Sequence, residues 1–151
     1  MKIKFLSAII LFTICTTQVS AQDYNTALGV KFYPGGITLK HFISNKVALE
    51  GIGYFYNHGT RITGLYEFYF GLPNVGNLKW YVGPGAHVGF YSNTYGGGTS
   101  FGVDGVLGLD FKVPSAPLDL SLDWQPSIEF GNDFGNGFSG GWGGFAIRYT
   151  F

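Results

Sequence analysis

The chain has 151 residues, a formal net charge of zero, only 12% charged and 19% aromatic residues, and 25 glycines. A soluble domain of this size is expected to carry about twice that share of charge, roughly 25%, so the composition argues against an outer surface that faces water throughout. The charge balance gives no electrostatic reason to expect nucleic acid, and a single cysteine leaves no disulfide framework.

The chain opens on Lys2 and Lys4, continues through an apolar run over 5–15, and reaches the small-residue site Val19-Ser20-Ala21. These are the three parts of a secretory signal peptide, and the apolar run is too short to span about 30 Å as a helix. Residues 1–21 are therefore expected to be removed, leaving 22–151 as one domain. Cys15, the only cysteine, goes with the removed segment and follows Ile14, which is not the small residue that a lipid-attachment site requires. Without Lys2 and Lys4, seven Lys/Arg stand against nine Asp/Glu.

No later stretch reaches the roughly 18 apolar residues of a membrane helix. Alternating segments of about ten residues recur instead, each bounded by turn chemistry, which is the sequence signature of a transmembrane barrel. The first predicted strand is 24–33, ended by Pro34-Gly35-Gly36; the second is 37–43 and the third 47–56. The fourth covers 61–70, the fifth 78–91, the sixth 101–112 and the seventh 118–130, with the closing strand at 142–151. The connections 44–46, 71–77 and 113–117 fall at one end, with 34–36, 57–60, 92–100 and 131–141 at the other. Eight strands, an even number, put both termini at the same end of an antiparallel meander.

A period of two assigns side chains to opposite faces. Lys31, Lys40, Glu50, Arg61, Glu67, Lys79, Asp104, Asp110, Lys112, Asp119, Asp123, Glu129 and Arg148 all fall on one of them. A soluble ligand-binding barrel would turn that face outward, leaving it sparsely charged and rich in glycine and tyrosine. Turned inward, the same charges nearly neutralise one another, as burial requires, and inward glycines leave room for long side chains to cross. The opposite face then carries aromatics near both strand ends, as the interfaces of a bilayer favour. Phe68, Phe70, Trp80, Tyr149 and Phe151 lie at the end with the termini; Phe32, Phe55, Phe90, Phe101, Trp124 and Phe130 lie at the other. The fold expected is all-β, a closed eight-stranded antiparallel up-and-down transmembrane barrel.

The closing stretch ends on Phe151 with Phe145, Ile147 and Tyr149 at alternate positions before it. With the signal peptide and the eight alternating segments, it resembles the small outer-membrane β-barrel proteins of Gram-negative bacteria, such as OmpX and the OmpA membrane domain. The resemblance implies residence in the outer membrane, both termini in the periplasm, lipid as surroundings, and reading of Phe145, Ile147, Tyr149 and Phe151 by the barrel-assembly machinery.

Candidate chemistry is sparse. A lumen ion-pair network is expected from Lys31, Glu50, Arg61, Glu67, Lys79, Asp104, Asp110, Asp123 and Arg148, with Arg148 facing Glu50, Glu67 and Asp110. Tyr33, Tyr54, Tyr69, Tyr81 and Tyr91 also read as inward and leave no obvious channel. An outer-leaflet lipid A-modifying enzyme, the alternative, would need a His–Ser pair at the outer rim. Of His41, His58 and His87, only His58 comes near that rim, with Thr60 and Ser92 as partners and no orienting third group, so a non-enzymatic protein is expected. A narrow route for small apolar molecules, as in proteins similar to OmpW, is a further alternative. Asp133 among Asn132 and Asn136 lacks the carboxylate density of a calcium loop, and no cofactor or metal is expected. A surface partner, if one binds, would meet the connections 92–100 and 131–141, which carry Tyr95, Phe134 and Phe138.

Overall fold

The computed structural model describes residues 24–131 and 137–151. The signal segment, Asn132, Asp133, Phe134 and Asn136 lie outside the described residues. The strands are β1 (Thr26–Phe32), β2 (Gly36–Ser44), β3 (Val47–Tyr56), β4 (Gly59–Leu72), β5 (Val75–Tyr91), β6 (Gly98–Lys112), β7 (Leu118–Trp124), β8 (Ser127–Phe130), β9 (Gly137–Ser139) and β10 (Gly143–Thr150). Each neighbouring pair is antiparallel, β5 pairs with β6, and β1 pairs with β10 through Leu28–Tyr149 and Phe32–Phe145. The sheet therefore closes on itself, and its main edges disappear. β7 with β8, and β9 with β10, form the seventh and eighth staves of an eight-stranded barrel.

The two breaks have different causes. Leu107 lies opposite Trp124 and Asp104 opposite Ser127, so three steps on β6 match three on its neighbour and no residue is inserted. Pro126 has no N–H to give the ladder, but its carbonyl still accepts from Gly105 N–H at 2.8 Å. Between β9 and β10 the count is unequal. Ser127 faces Ser139 and Trp124 faces Gly143, so four steps on this stave oppose three on the other. That one-residue bulge reverses the parity of the strand, and Phe138 and Phe145 both point outward, 69% and 40% exposed.

Several strands run beyond their predicted ends because ladder hydrogen bonds use backbone groups that glycine supplies as well as any residue. The expected turn 71–77 shrinks to Pro73-Asn74, since Leu72 pairs with Val75. Pro73 pre-sets the first corner, and Asn74, at φ 63°, takes the left-handed second corner that asparagine tolerates. The connection expected at 92–100 is shortened by β6, which starts at Gly98, and contains a 3₁₀ turn, Asn93–Tyr95. The connection expected at 131–141 contains β9. The first strand is shorter than expected: Tyr24 precedes it and packs edge-on against Phe42 at 5.3 Å, while Tyr33 has left it, at φ 66°.

Charge separates cleanly by face. Lys31, Lys40, Glu50, Arg61, Glu67, Asp104, Asp110, Asp119, Asp123 and Arg148 are buried inside, whereas Leu28, Ile37, Leu49, Ile62, Val103, Leu107, Leu122 and Ile128 are exposed outside. Aromatic pairs bracket that apolar wall. Phe70 stacks on Trp80 at 4.5 Å and Tyr149 meets Phe151 at 6.3 Å near the termini. Phe32–Phe145 and Phe101–Phe130 do so near the opposite mouth, at 6.5 and 6.2 Å. The interior is not wholly polar: Ala48, Ile52, Leu65 and Val106 cluster with Tyr54, Tyr69 and Tyr81 along the β3–β6 wall. Among the described residues no helix is long and apolar enough to cross a membrane.

Candidate functional site

The chemistry-bearing side chains meet inside the barrel, where inward positions from all eight staves converge on a space that side chains can fill. In the half nearer the termini, β10 supplies Arg148. Its Nη2 donates to Glu50 Oε1, and its Nη1 to Asp119 Oδ2 at 3.0 Å and Ser121 Oγ at 2.8 Å; its Nε donates to Thr38 Oγ1 at 3.3 Å. Beside it, β2 supplies Lys40, whose Nζ lies 3.0 Å from Glu67 Oε2 and 3.5 Å from both Glu50 Oε2 and Asp110 Oδ2. Lys40 Nζ also donates to Tyr69 Oη at 2.5 Å and sits 4.4 Å from the centre of the Tyr81 ring. Glu50 thus joins the two cations into one cluster.

Farther from the termini, Lys31 Nζ donates to Asp123 Oδ2 at 2.5 Å, and Tyr81 Oη donates to the same oxygen at 2.7 Å. Gln125 Nε2 donates to Asp123 Oδ1 at 3.0 Å, and Gln125 Oε1 accepts from Tyr54 Oη at 2.8 Å. Inward glycine makes this possible: a Cβ on Gly108 would fall 2.6 Å from Tyr81 Oη and 2.7 Å from Asp123 Cβ. Nearest the other mouth, Arg61 Nη2 donates to Asp104 Oδ1 and Nη1 to Glu129 Oε1 at 3.1 Å. His87 Nδ1 is 3.0 Å from Asp104 Oδ2, and Nε2 is 3.8 Å from Glu129 Oε1. Trp142 closes this tier, its ring 4.1 Å from the Arg61 guanidinium and 5.1 Å from the Tyr54 ring.

No protein-family model matches the sequence, and no curated protein matches it. Among solved structures, the chain is similar to the N-terminal β-barrel domain of Pseudomonas aeruginosa OprF. The TM-score is 0.60 at 19% identity, over 86% of this chain and 100% of that one. The fold is that of the small eight-stranded outer-membrane barrels.

Within this outer-membrane-barrel fold, several residues stand elsewhere than the sequence suggested. Arg148 meets Glu50, but Glu67 and Asp110 belong to Lys40. Lys79 is not part of the network: it is half-exposed at the mouth bearing the termini, with no ion pair to a described carboxylate. Parity gives its face, and its place near the start of β5 gives its depth. Tyr33 is 84% exposed, outside the lumen, because the strand ends at Phe32. Tyr54, Tyr69 and Tyr81 are buried. Residues the network reading missed are Lys40, Asp119, Glu129, Gln125 and Trp142. Lys40, Asp119 and Glu129 carried the signal already, since they share the parity of Arg61 and Asp104 on their strands.

The remaining candidates are near the ends. Phe145, Ile147, Tyr149 and Phe151 all face outward, 37–49% exposed, and Phe151 exchanges backbone hydrogen bonds with Thr26 at 2.9 and 3.1 Å. His41 Nδ1 lies 2.8 Å from Thr26 Oγ1. The His58 ring lies edge-on to Tyr56 at 6.2 Å, and Ser92 reaches His58 through a backbone bond of 2.8 Å, while the Ser92 hydroxyl accepts from Thr94 N–H. Tyr24, before β1, is half-buried, with its hydroxyl buried near Asp110 and Asp119; desolvation first, then those carboxylates, push its phenol well above its ordinary value. Among the described residues no His/Asp/Glu group could hold a metal ion.

Proposed function

We propose that this chain is a non-enzymatic integral protein of the bacterial outer membrane, with both termini in the periplasm and a lumen closed by its own ion pairs. The observation that carries this reading is the division of the wall: ten charged residues buried inside, and a continuous outer surface of Leu, Ile, Val and Phe between two aromatic rings. In water such a surface would drive aggregation; in a bilayer it is the solvated face. Arg61, Arg148, Tyr54, Tyr81, Lys31 and Lys40, the largest fully buried side chains, fill the cross-section, which favours a plug over a pore.

Its role is structural or surface-interactive: maintenance of the barrier, or docking through the connections 92–100 and 131–141, where Phe138 projects from β9. Phe145, Ile147, Tyr149 and Phe151 present an alternating apolar edge to the assembly machinery. Lipid A modification is the competing activity. Mass spectrometry of lipid A from a deletion strain tests this, with an unaltered profile expected and a changed acylation pattern assigning the enzyme instead.

A further inference from the structure

Lys79 on β5 and Asp110 on β6 stand directly opposite each other across the ladder. Opposite charges so placed ordinarily close on one another. These two do not. Asp110 Oδ2 is engaged deeper in the lumen, accepting from Tyr69 Oη at 3.0 Å with Lys40 Nζ at 3.5 Å. The Lys79 side chain stays half-exposed at the mouth bearing the termini, without an ion pair to a described carboxylate. Behind it the charges balance, with Lys40, Lys79, Lys112 and Arg148 against Glu50, Glu67, Asp110 and Asp119. Arg148 meets Glu50 and Asp119, and Lys112, opposite Asp119, gives its ammonium to the Val113 and Ala116 carbonyls at 3.2 and 2.5 Å. This half of the lumen is neutral as a whole, yet the Lys79–Asp110 pair within it is held open.

Both residues line a cavity of about 300 Å³, as do Tyr24, Phe42, Asn77 and Lys112. Small-molecule sites begin at about this volume. The Tyr24 hydroxyl is buried with no hydrogen-bond partner. The Tyr24 ring meets Phe42 edge-on at 5.3 Å, and Phe42 lies 4.8 Å from Tyr69, which gives the cavity an aromatic wall. An ammonium can only donate and a carboxylate can only accept, whereas a phenol does either. A lone anion would suit Lys79 and meet Asp110, and a lone cation would suit Asp110 and meet Lys79 and Lys112. Either would also leave a net charge in a neutral interior, which burial penalises. A molecule bearing both charges satisfies both walls and keeps the balance.

We propose that this cavity binds a small zwitterion of the α-amino-acid class. Its carboxylate accepts from Lys79 Nζ and from the Tyr24 hydroxyl, its ammonium faces Asp110, and its side chain rests on Phe42. In the orientation proposed above the site opens to the periplasm, but binding itself does not depend on that orientation.

The test is a titration of the full chain, nitrogen-15-labelled and folded in non-ionic micelles, with alanine as the probe. Propionate, which lacks the ammonium, and ethylamine, which lacks the carboxylate, are titrated in parallel. Alanine is expected to shift the amide signals of Tyr24, Gly76, Asn77 and Lys79 saturably. Each analogue has lost one charged contact and is expected to bind at least about tenfold more weakly. Lys79→Gln should weaken alanine by about tenfold as well, whereas Lys46→Gln, exposed in the neighbouring turn, should leave it unchanged. The analogue series on the wild-type chain decides the matter even where a variant folds poorly. Absence of saturation, propionate or ethylamine binding as tightly as alanine, or Lys46→Gln weakening alanine as much as Lys79→Gln would each overturn the proposal.

Discussion

Lys31 and Asp123 stand 92 positions apart in the chain, yet Lys31 Nζ lies 2.5 Å from Asp123 Oδ2, and neither side chain reaches solvent. Only the β10 stave separates β1 from β7, and both residues point inward. Removing one partner strands a buried charge, which costs about 3–5 kcal/mol. Lys31→Met is therefore expected to lose that much in urea unfolding from lipid vesicles. Lys31→Met combined with Asp123→Leu should lose much less, because no charge is left behind. Equal losses in the single and double variants would show that the ion pair is not the source of the stability.

Arg148 is the cation with the most donors in use, bridging Glu50, Asp119, Ser121 and Thr38. Arg148→Ala is expected to lower stability by about 3–5 kcal/mol and to raise single-channel conductance in planar bilayers, since it removes a side chain that crosses the lumen. A variant as stable and as non-conducting as wild type would take the plug away from Arg148.

Parity already placed Lys31, Glu50, Asp123 and Arg148 on one face and closed the chain with a strand ending at Phe151, so the fold and the inward set were legible in the sequence. Which acid meets which base was not. Those partners cross the lumen, and their depth depends on the stagger of the staves, which alternation within one strand does not contain. Hence Glu67 and Asp110 went to Lys40 rather than Arg148, and Lys79 came out at the mouth. The bulge before β10 was hidden for a related reason. Gly140-Gly141 read as loop, whereas it supplies the extra residue that lets Phe138 face outward while Trp142 faces Arg61.

The three tryptophans should report this division directly. Trp124 is 48% exposed on the wall and Trp80 also faces outward, stacked on Phe70, whereas Trp142 packs inside between Arg61, Tyr54 and Tyr56. In single-tryptophan variants reconstituted into brominated lipid, Trp80 and Trp124 are expected to be quenched strongly and Trp142 weakly. Strong quenching of Trp142 would place it on the wrong face.

Leu107, 50% exposed on the outer wall of β6, distinguishes lipid from water as the surrounding medium. Leu107→Arg is expected to cost about 2–4 kcal/mol in vesicles if it lies near the bilayer midplane. A water-facing site would tolerate the change within about 0.5 kcal/mol. Deleting Phe151 addresses assembly separately, with a lower yield of folded barrel in cells expected and little change in the stability of protein refolded in vitro.

Residence in the outer membrane as a closed barrel is the claim on which the rest depends. Cells expressing the full chain can be fractionated and the protein run on a gel with and without boiling. The protein is expected in the outer-membrane fraction, with a folded band whose migration changes only on heating. Recovery in the soluble periplasmic fraction, with the same migration before and after boiling, would contradict the account.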